Sequence, residues 1–150
     1  MLHNRQRIVL MDLNVALSSN FHDMKNYGFE DFVKNHETYR SKTIDLLRPE
    51  FVVLITARDV KWGVHTLSRI WKTTQWTPND ALFNDTGISG QNAPLIKKTQ
   101  MLKKVYSRYG DNPKQYYAIE SNKNTRDMYA SLGIQAYDCD REDCWTTLPF

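Results

Sequence analysis

The stretch RIVLMDLNVALSS, residues 7–19, decides how the rest of the chain is read. Ile8 to Met11 is an unbroken apolar run closed by Asp12. A strand without polar alternation is one covered on both faces, as in a parallel sheet. The stretch therefore predicts a buried strand that delivers a carboxylate at its end. Asn14 follows two residues later, where a second acid would complete a pair for acid–base chemistry.

Working outward, the runs FVVLIT (51–56), DALFND (80–85), QYYAIES (115–121) and GIQAYDC (133–139) also have strand length. Helical patterns separate them. One is predicted from about Pro94 to Tyr109, with proline in its first turn and Gly110 closing it. Its stripe is read as Leu95, Leu102, Val105 and Tyr109, with Lys98 inside it, while Lys97 falls on a solvated face with Lys104 and Arg108. A second helix is predicted after Asp59 as a cap, burying Val60, Val64, Leu67 and Trp71. A third runs from about Thr125 to Leu132 and stops at Gly133. Strands alternating with helices imply parallel pairing through right-handed crossovers. The expected fold is α/β, a three-layer Rossmann-like sandwich with a central parallel sheet of about five strands.

At 150 residues and 41% hydrophobic content, one domain spanning 1–150 with a single core is expected. The net charge of +3 favours phosphate-bearing partners only weakly. Cys139 and Cys144 have no second pair to complete a zinc site, and a reduced thiol pair is expected. The N-terminal apolar run is too short for a signal peptide or a membrane span, which predicts a soluble, cytoplasmic protein without membrane contact.

In parallel α/β sheets the functional crevice lies at the carboxyl ends of the strands, where strand order reverses. Asp12, Thr56, Glu120 and Ser121 stand at such ends, and the first turn of the helix carrying Lys98 lies at the same rim. This set suits phosphoryl transfer. Asp12 would attack phosphorus, Thr56 and Lys98 would hold the phosphoryl oxygens, and Asp12 and Glu120 would share Mg²⁺ through hard oxygen ligands. Each residue also has a plainer reading: a strand-end threonine often satisfies a turn, an acid often caps a helix, and a lysine in an apolar stripe can snorkel to water.

These residues resemble the four motifs of the haloacid dehalogenase (HAD) superfamily. They read here as VLMDLNVAL, VVLITAR, IKKTQML and YYAIESN, in the family's order. The second half is most similar to the 3′-phosphatase domain of bacteriophage polynucleotide kinases. That resemblance implies a HAD-type phosphohydrolase acting on phosphomonoesters, with nucleotides or nucleic-acid 3′ ends as substrates, and places Arg58 beside Thr56 at the phosphate. It also implies a metal site made by Asp12, Glu120 and the backbone carbonyl of Asn14. Three positions depart from the family pattern. Asn14 replaces the acid that protonates the leaving oxygen, a loss that typically removes about 10²–10⁴ in rate. Ala16 stands for Thr or Val, and Glu120-Ser121 replaces an acidic pair, weakening the Mg²⁺ site.

Residues 18–50 contain no second domain, and by the resemblance that length implies a small or absent cap. Phe29, Phe32, Val33, Ile44 and Leu47 read as helical core positions, and His22 lies in the loop where the family keeps its flap. Trp62, Trp71, Trp76 and Tyr106 near basic residues read as core aromatics beside a solvated helix face, with a single-strand stacking surface as the alternative. Two functional classes remain: a phosphatase weakened at Asn14, and a non-catalytic HAD-fold module that binds nucleic acid or protein. A receiver-like signalling domain fits less well, because its acidic pair and hydroxyl come in another order.

Overall fold

The computed structural model describes residues 7–140. Five strands, β1 (Ile8–Met11), β2 (Phe51–Asp59), β3 (Asp80–Asn84), β4 (Tyr116–Ile119) and β5 (Gln135–Tyr137), form one all-parallel sheet in the order β3-β2-β1-β4-β5. Helices α1 (Ser41–Leu47), α2 (Gly63–Thr74), α3 (Ala93–Gln100) and α4 (Lys123–Ser131) cover its two faces. The α/β three-layer arrangement expected from the alternating runs is the one observed.

The apolar run that opens the chain explains why β1 is central. Val9 and Met11 point into one core, with Val52, Leu54, Leu47 and Ile70. Ile8 and Leu10 point into the other, with Val53, Ile55, Met101 and Val105. Successive side chains alternate across a strand, so a strand buried on both sides must be apolar throughout. Burying each such aliphatic side chain contributes about 1.5–3 kcal/mol.

After α3 the helix continues through a π-turn, Met101–Val105, and a last turn, Tyr106–Tyr109. The expected extent is therefore correct, but the expected stripe is not. Leu95 and Leu102 are 46% and 48% exposed, whereas Ile96, Lys97, Gln100, Met101 and Val105 are buried. A π-turn closes i→i+5 and so takes one residue more than an α-turn. That extra residue rotates Val105 and Tyr109 onto the face of Ile96, Lys97 and Met101, which a uniform 3.6-residue period would not do. The lysine facing the sheet is Lys97, and Lys98 is exposed.

The stripe on α2 is corrected as well. Asp59 caps as expected, its Oδ1 accepting the Lys61 N–H at 2.9 Å. However, Val60, Val64 and Trp71 are 53%, 80% and 55% exposed; of the expected stripe Leu67 packs against the core, half-buried, beside the buried Gly63, Thr66 and Ile70. The glycine allows close approach there, since a Cβ at Gly63 would stand 3.1 Å from the Phe83 ring, tighter than ordinary contact. Residues 18–40 form an excursion of short helical turns closed by the antiparallel Ser18–Tyr39 bridge. Cys139 is buried and disulfide-bonded, not the free thiol expected; Cys144 lies outside the described residues. Among the described residues no helix is long and apolar enough to cross a membrane.

Candidate active site

Strand register assembles the site. Met11 of β1 pairs with Ile119 of β4 and with Leu54 of β2. Asp12 and Glu120 therefore leave adjacent strands side by side, and the Asp12 N–H donates to the Ile119 carbonyl at 2.9 Å. Strand order reverses between β1 and β4, so the two carboxylates stand where an open parallel sheet offers its crevice.

Lys97 joins them. Its Nζ donates to Asp12 Oδ1 at 2.8 Å and to Glu120 Oε1 at 2.5 Å. All three side chains are nearly inaccessible, at 2% exposure for Lys97. The Ser121 hydroxyl donates to Asp12 Oδ2 at 3.1 Å, and Glu120 Oε2 accepts the Asn122 N–H at 3.1 Å. The trio opens into a pocket of about 200 Å³, whose wall also includes Asn14, Ala57 and Gly90.

One ammonium between two buried carboxylates sets the electrostatics. Burial alone would lower the Lys97 pKa, but Asp12 and Glu120 outweigh it and raise the value. Burial pushes the Glu120 carboxyl from its ordinary 4.5 up to about 7; Lys97 opposes that rise and Asp12 adds to it. Tyr129, whose hydroxyl is buried with no partner among the described residues, is likewise raised by burial.

A consequence for stability follows from the Glu120 shift. A carboxyl whose folded pKa lies above its unfolded value binds more protons in the folded state, so its stabilising contribution falls as pH rises between the two values. That contribution is full below 4.5 and is lost as pH rises through about 7. The stability of the wild type minus that of Glu120→Gln, from urea unfolding in chelator, is expected to move against the wild type across this window and to level off above it. A difference that is flat with pH would contradict the assignment.

Arg58 has a different environment from the one the resemblance implies. Its Nη1 donates to Glu37 Oε1 and Thr66 Oγ1, both at 2.9 Å. Its Nη2 donates to Glu37 Oε2 at 2.8 Å and to Asn14 Oδ1 at 3.0 Å. The four Nη hydrogens are thus engaged, and the Arg58 and Glu37 side chains are both at 0% exposure. Arg58 lines the chamber next to the Asp12 pocket rather than that pocket itself. Its bond to Asn14 Oδ1 leaves the Asn14 amide nitrogen as the group able to face the crevice, a donor that cannot ionise.

Thr56 is buried, and its Oγ1 accepts the Arg58 N–H at 3.0 Å. The pocket wall at this point is Ala57. Val15, in the turn after Asp12, has φ 69° and ψ −47°. This positive-φ conformation, close to that of a γ-turn, is strained for a β-branched residue and costs of order 1–3 kcal/mol. Arg40 holds the turn, with Nη2 donating to the Val15 carbonyl at 2.9 Å and Nε to the Ala16 carbonyl at 3.1 Å. His22 is exposed beside Asp23 and lines none of these pockets.

Of the residues singled out from sequence, Asp12, Asn14 and Glu120 meet in one pocket, Thr56 and Arg58 lie behind or beside it, and Lys98 lies outside it. Sequence reasoning missed Lys97, Glu37 and Arg40. Glu37 had no local signal, since a lone acid in a polar segment reads as solvated. Lys97 was present in the quoted motif but assigned to the wrong helix face.

The donor set is of the type Mg²⁺ takes. One or two carboxylates with other oxygens and water suffice, and Asp12, Glu120 and the Asn14 carbonyl would supply them. Among the described residues no group of three His, Cys, Asp or Glu is placed to hold a metal, and Lys97 already neutralises one of the two charges on offer.

No protein-family model matches the chain, and no curated protein matches it in sequence. Solved structures do match in fold. A chain of the Pnkp1/Rnl/Hen1 RNA repair complex is similar with a TM-score of 0.68 at 16% identity, covering 95% of this chain and 45% of that one. This protein thus spans less than half of that neighbour. A HAD-family enzyme from Bacteroides thetaiotaomicron matches with a TM-score of 0.61 at 14% identity, covering 94% and 97% of the two chains. The same enzyme in a magnesium complex scores 0.58 at 14% identity, covering 93% of this chain and 96% of that one. A phosphoserine phosphatase in its apo form scores 0.54 at 12% identity, covering 97% and 98%. The chain has the HAD-like fold.

Proposed function

We propose that this protein is a phosphomonoester hydrolase of the HAD type, working through an aspartyl-phosphate at Asp12. The observation that carries the reading is the buried Lys97 bridging Asp12 and Glu120 at the mouth of the sheet. A structural ion pair gains little from burial, because desolvation offsets the attraction. Three ionisable groups gathered at a strand-order reversal and opening into a pocket are better accounted for by chemistry on an anion.

In this reading an Asp12 carboxylate oxygen bonds to phosphorus and the ester oxygen leaves with the bonding pair. Lys97 neutralises charge on the phosphoryl oxygens, while Thr56, behind the wall, holds the backbone at Arg58. Asn14 donates a hydrogen bond to the leaving oxygen, but the proton that oxygen needs comes from water. Water then attacks the acyl phosphate, releasing phosphate and restoring Asp12. Arg58 acts through Asn14, which it orients. Mg²⁺, held by Asp12, Glu120 and the Asn14 carbonyl, would neutralise phosphoryl charge when bound. The substrate is a phosphorylated small molecule or a nucleic-acid 3′ end.

Phosphate release from a panel of phosphomonoesters and 3′-phosphorylated oligonucleotides, with and without Mg²⁺, tests this. Asp12→Asn is expected to remove release entirely. Asn14→Asp is expected to raise it, by as much as about 10²-fold, the lower end of what a general acid contributes. A wild type and an Asn14→Asp variant that both stay silent would overturn the reading. The second reading, a binding module, is favoured by the Asn14 amide and by the Ser121 hydroxyl on Asp12. It predicts nucleic-acid or protein binding that survives Asp12→Asn.

A further inference from the structure

Next to the Asp12 pocket lies a chamber of about 490 Å³ that shares Asn14, Ala57 and Gly90 with it. A group bonded to a phosphoryl at Asp12 has this chamber as its continuation. Two aromatic rings stand in the chamber's wall. Phe29, from the excursion after β1, and Trp62, from the turn before α2, stand with ring centroids 5.3 Å apart. Cations flank them: Arg58 Cζ lies 5.2 Å from the Phe29 centroid and Lys61 Nζ lies 5.4 Å from the Trp62 centroid. Trp62 is only half-buried, and the rest of the lining includes the glycine-containing loop 87–90.

Resting on the phosphohydrolase reading above, we propose that this chamber is a leaving-group subsite for a flat aromatic ring, a nucleobase or a comparable aryl group, stacked on Trp62 and Phe29. A half-buried indole beside a cavity provides a stacking face, which any planar π-system fills better than an aliphatic chain does. Lys61 and Arg58 polarise the two rings and attract electron-rich partners. Arg58, bonded to Asn14 and lying over the Phe29 ring, links this subsite to the reacting one. The glycines of the facing loop carry no side chain to fill the chamber. Ring-bearing phosphomonoesters would thereby be selected over glycerol or sugar phosphates of similar charge.

Binding separates this subsite from catalysis. Calorimetric titration of the Asp12→Asn protein with adenosine 3′-monophosphate, phenyl phosphate, ribose 5-phosphate and inorganic phosphate reads the ring contribution without turnover. The two ring-bearing ligands are expected to bind roughly tenfold or more tightly than the other two. Trp62→Ala should remove that advantage and leave the inorganic phosphate affinity unchanged. Phe29→Leu, which keeps an apolar filler, should remove part of it and guards against misfolding of the tryptophan variant. Equal affinity for all four ligands, no binding of the ring-bearing pair, or an advantage that survives both substitutions would overturn the proposal. Silence in the phosphate-release assay with ring-selective binding intact would count against the hydrolase reading alone.

Discussion

Lys97→Met is expected to destabilise the protein by about 3–5 kcal/mol, the range found when one partner of a buried ion pair is removed. The substitution keeps the apolar stem but takes away the cation that, among the described residues, stands between Asp12 and Glu120. Two carboxylates at 6% and 2% residue exposure would face each other, and one must bind a proton. Phosphate release, where present, should fall by about 10²–10³, the effect of losing one preorganised donor to a developing anion. Lys98→Met supplies the contrast. Exposed, and with no place in the pocket, it should change stability by no more than about 0.5 kcal/mol. Urea unfolding of both variants decides between the two adjacent lysines, and equal effects would refute the placement of the helix face.

The second large effect is expected at Glu37→Gln. Arg58 would keep a hydrogen-bonding neighbour but lose its countercharge at 0% exposure, again at about 3–5 kcal/mol. Tyr39, whose hydroxyl donates to Glu37 Oε1 at 2.9 Å, would keep an acceptor. The bond from Arg58 to Asn14 would weaken as the guanidinium is drawn toward other acceptors. Because the pair is buried, the loss should be nearly independent of salt, unlike that of an exposed pair such as Lys123–Asp127. The double variant Glu37→Leu, Arg58→Met should recover much of the stability, since replacing both members of a buried pair by apolar groups is often neutral. It should not recover the orientation of Asn14, so stability and activity would separate. A double variant as unstable as Glu37→Gln alone would contradict this account.

Both predictions concern contacts that join distant parts of the chain, and this is where sequence and structure divide. The strands and their ends were legible from residue order alone. A run such as Ile8–Met11 or Val52–Ile55 fits a strand buried on both faces, as parallel sheets with helices on either side require, and the carboxylate or hydroxyl that follows then falls at the carboxyl edge for simple geometric reasons. Asp12, Thr56 and Glu120 were found in this way, and Asn14 with them. Helix faces were less legible. Of the readable stripe on α2 and the turn before it, Val60, Val64 and Trp71 are exposed and Leu67 packs on the core, because the sheet accepts small residues at Gly63 and Thr66, and apolarity does not reveal which face has room to approach. In the helix over 93–109, no local signal marks the π-turn at Met101–Val105 that brings Lys97 inward.

The sequence by itself thus determined the order of strands and helices and the chemical groups at the strand ends, since burial on both faces leaves a local pattern. Only the tertiary structure decided which lysine meets Asp12, that Glu37 pairs with Arg58, and that Phe29 and Trp62 wall a chamber beside the carboxylates. Each of these depends on how one element is rotated or seated against another, and packing energies between elements leave no periodic mark in the residues that make them.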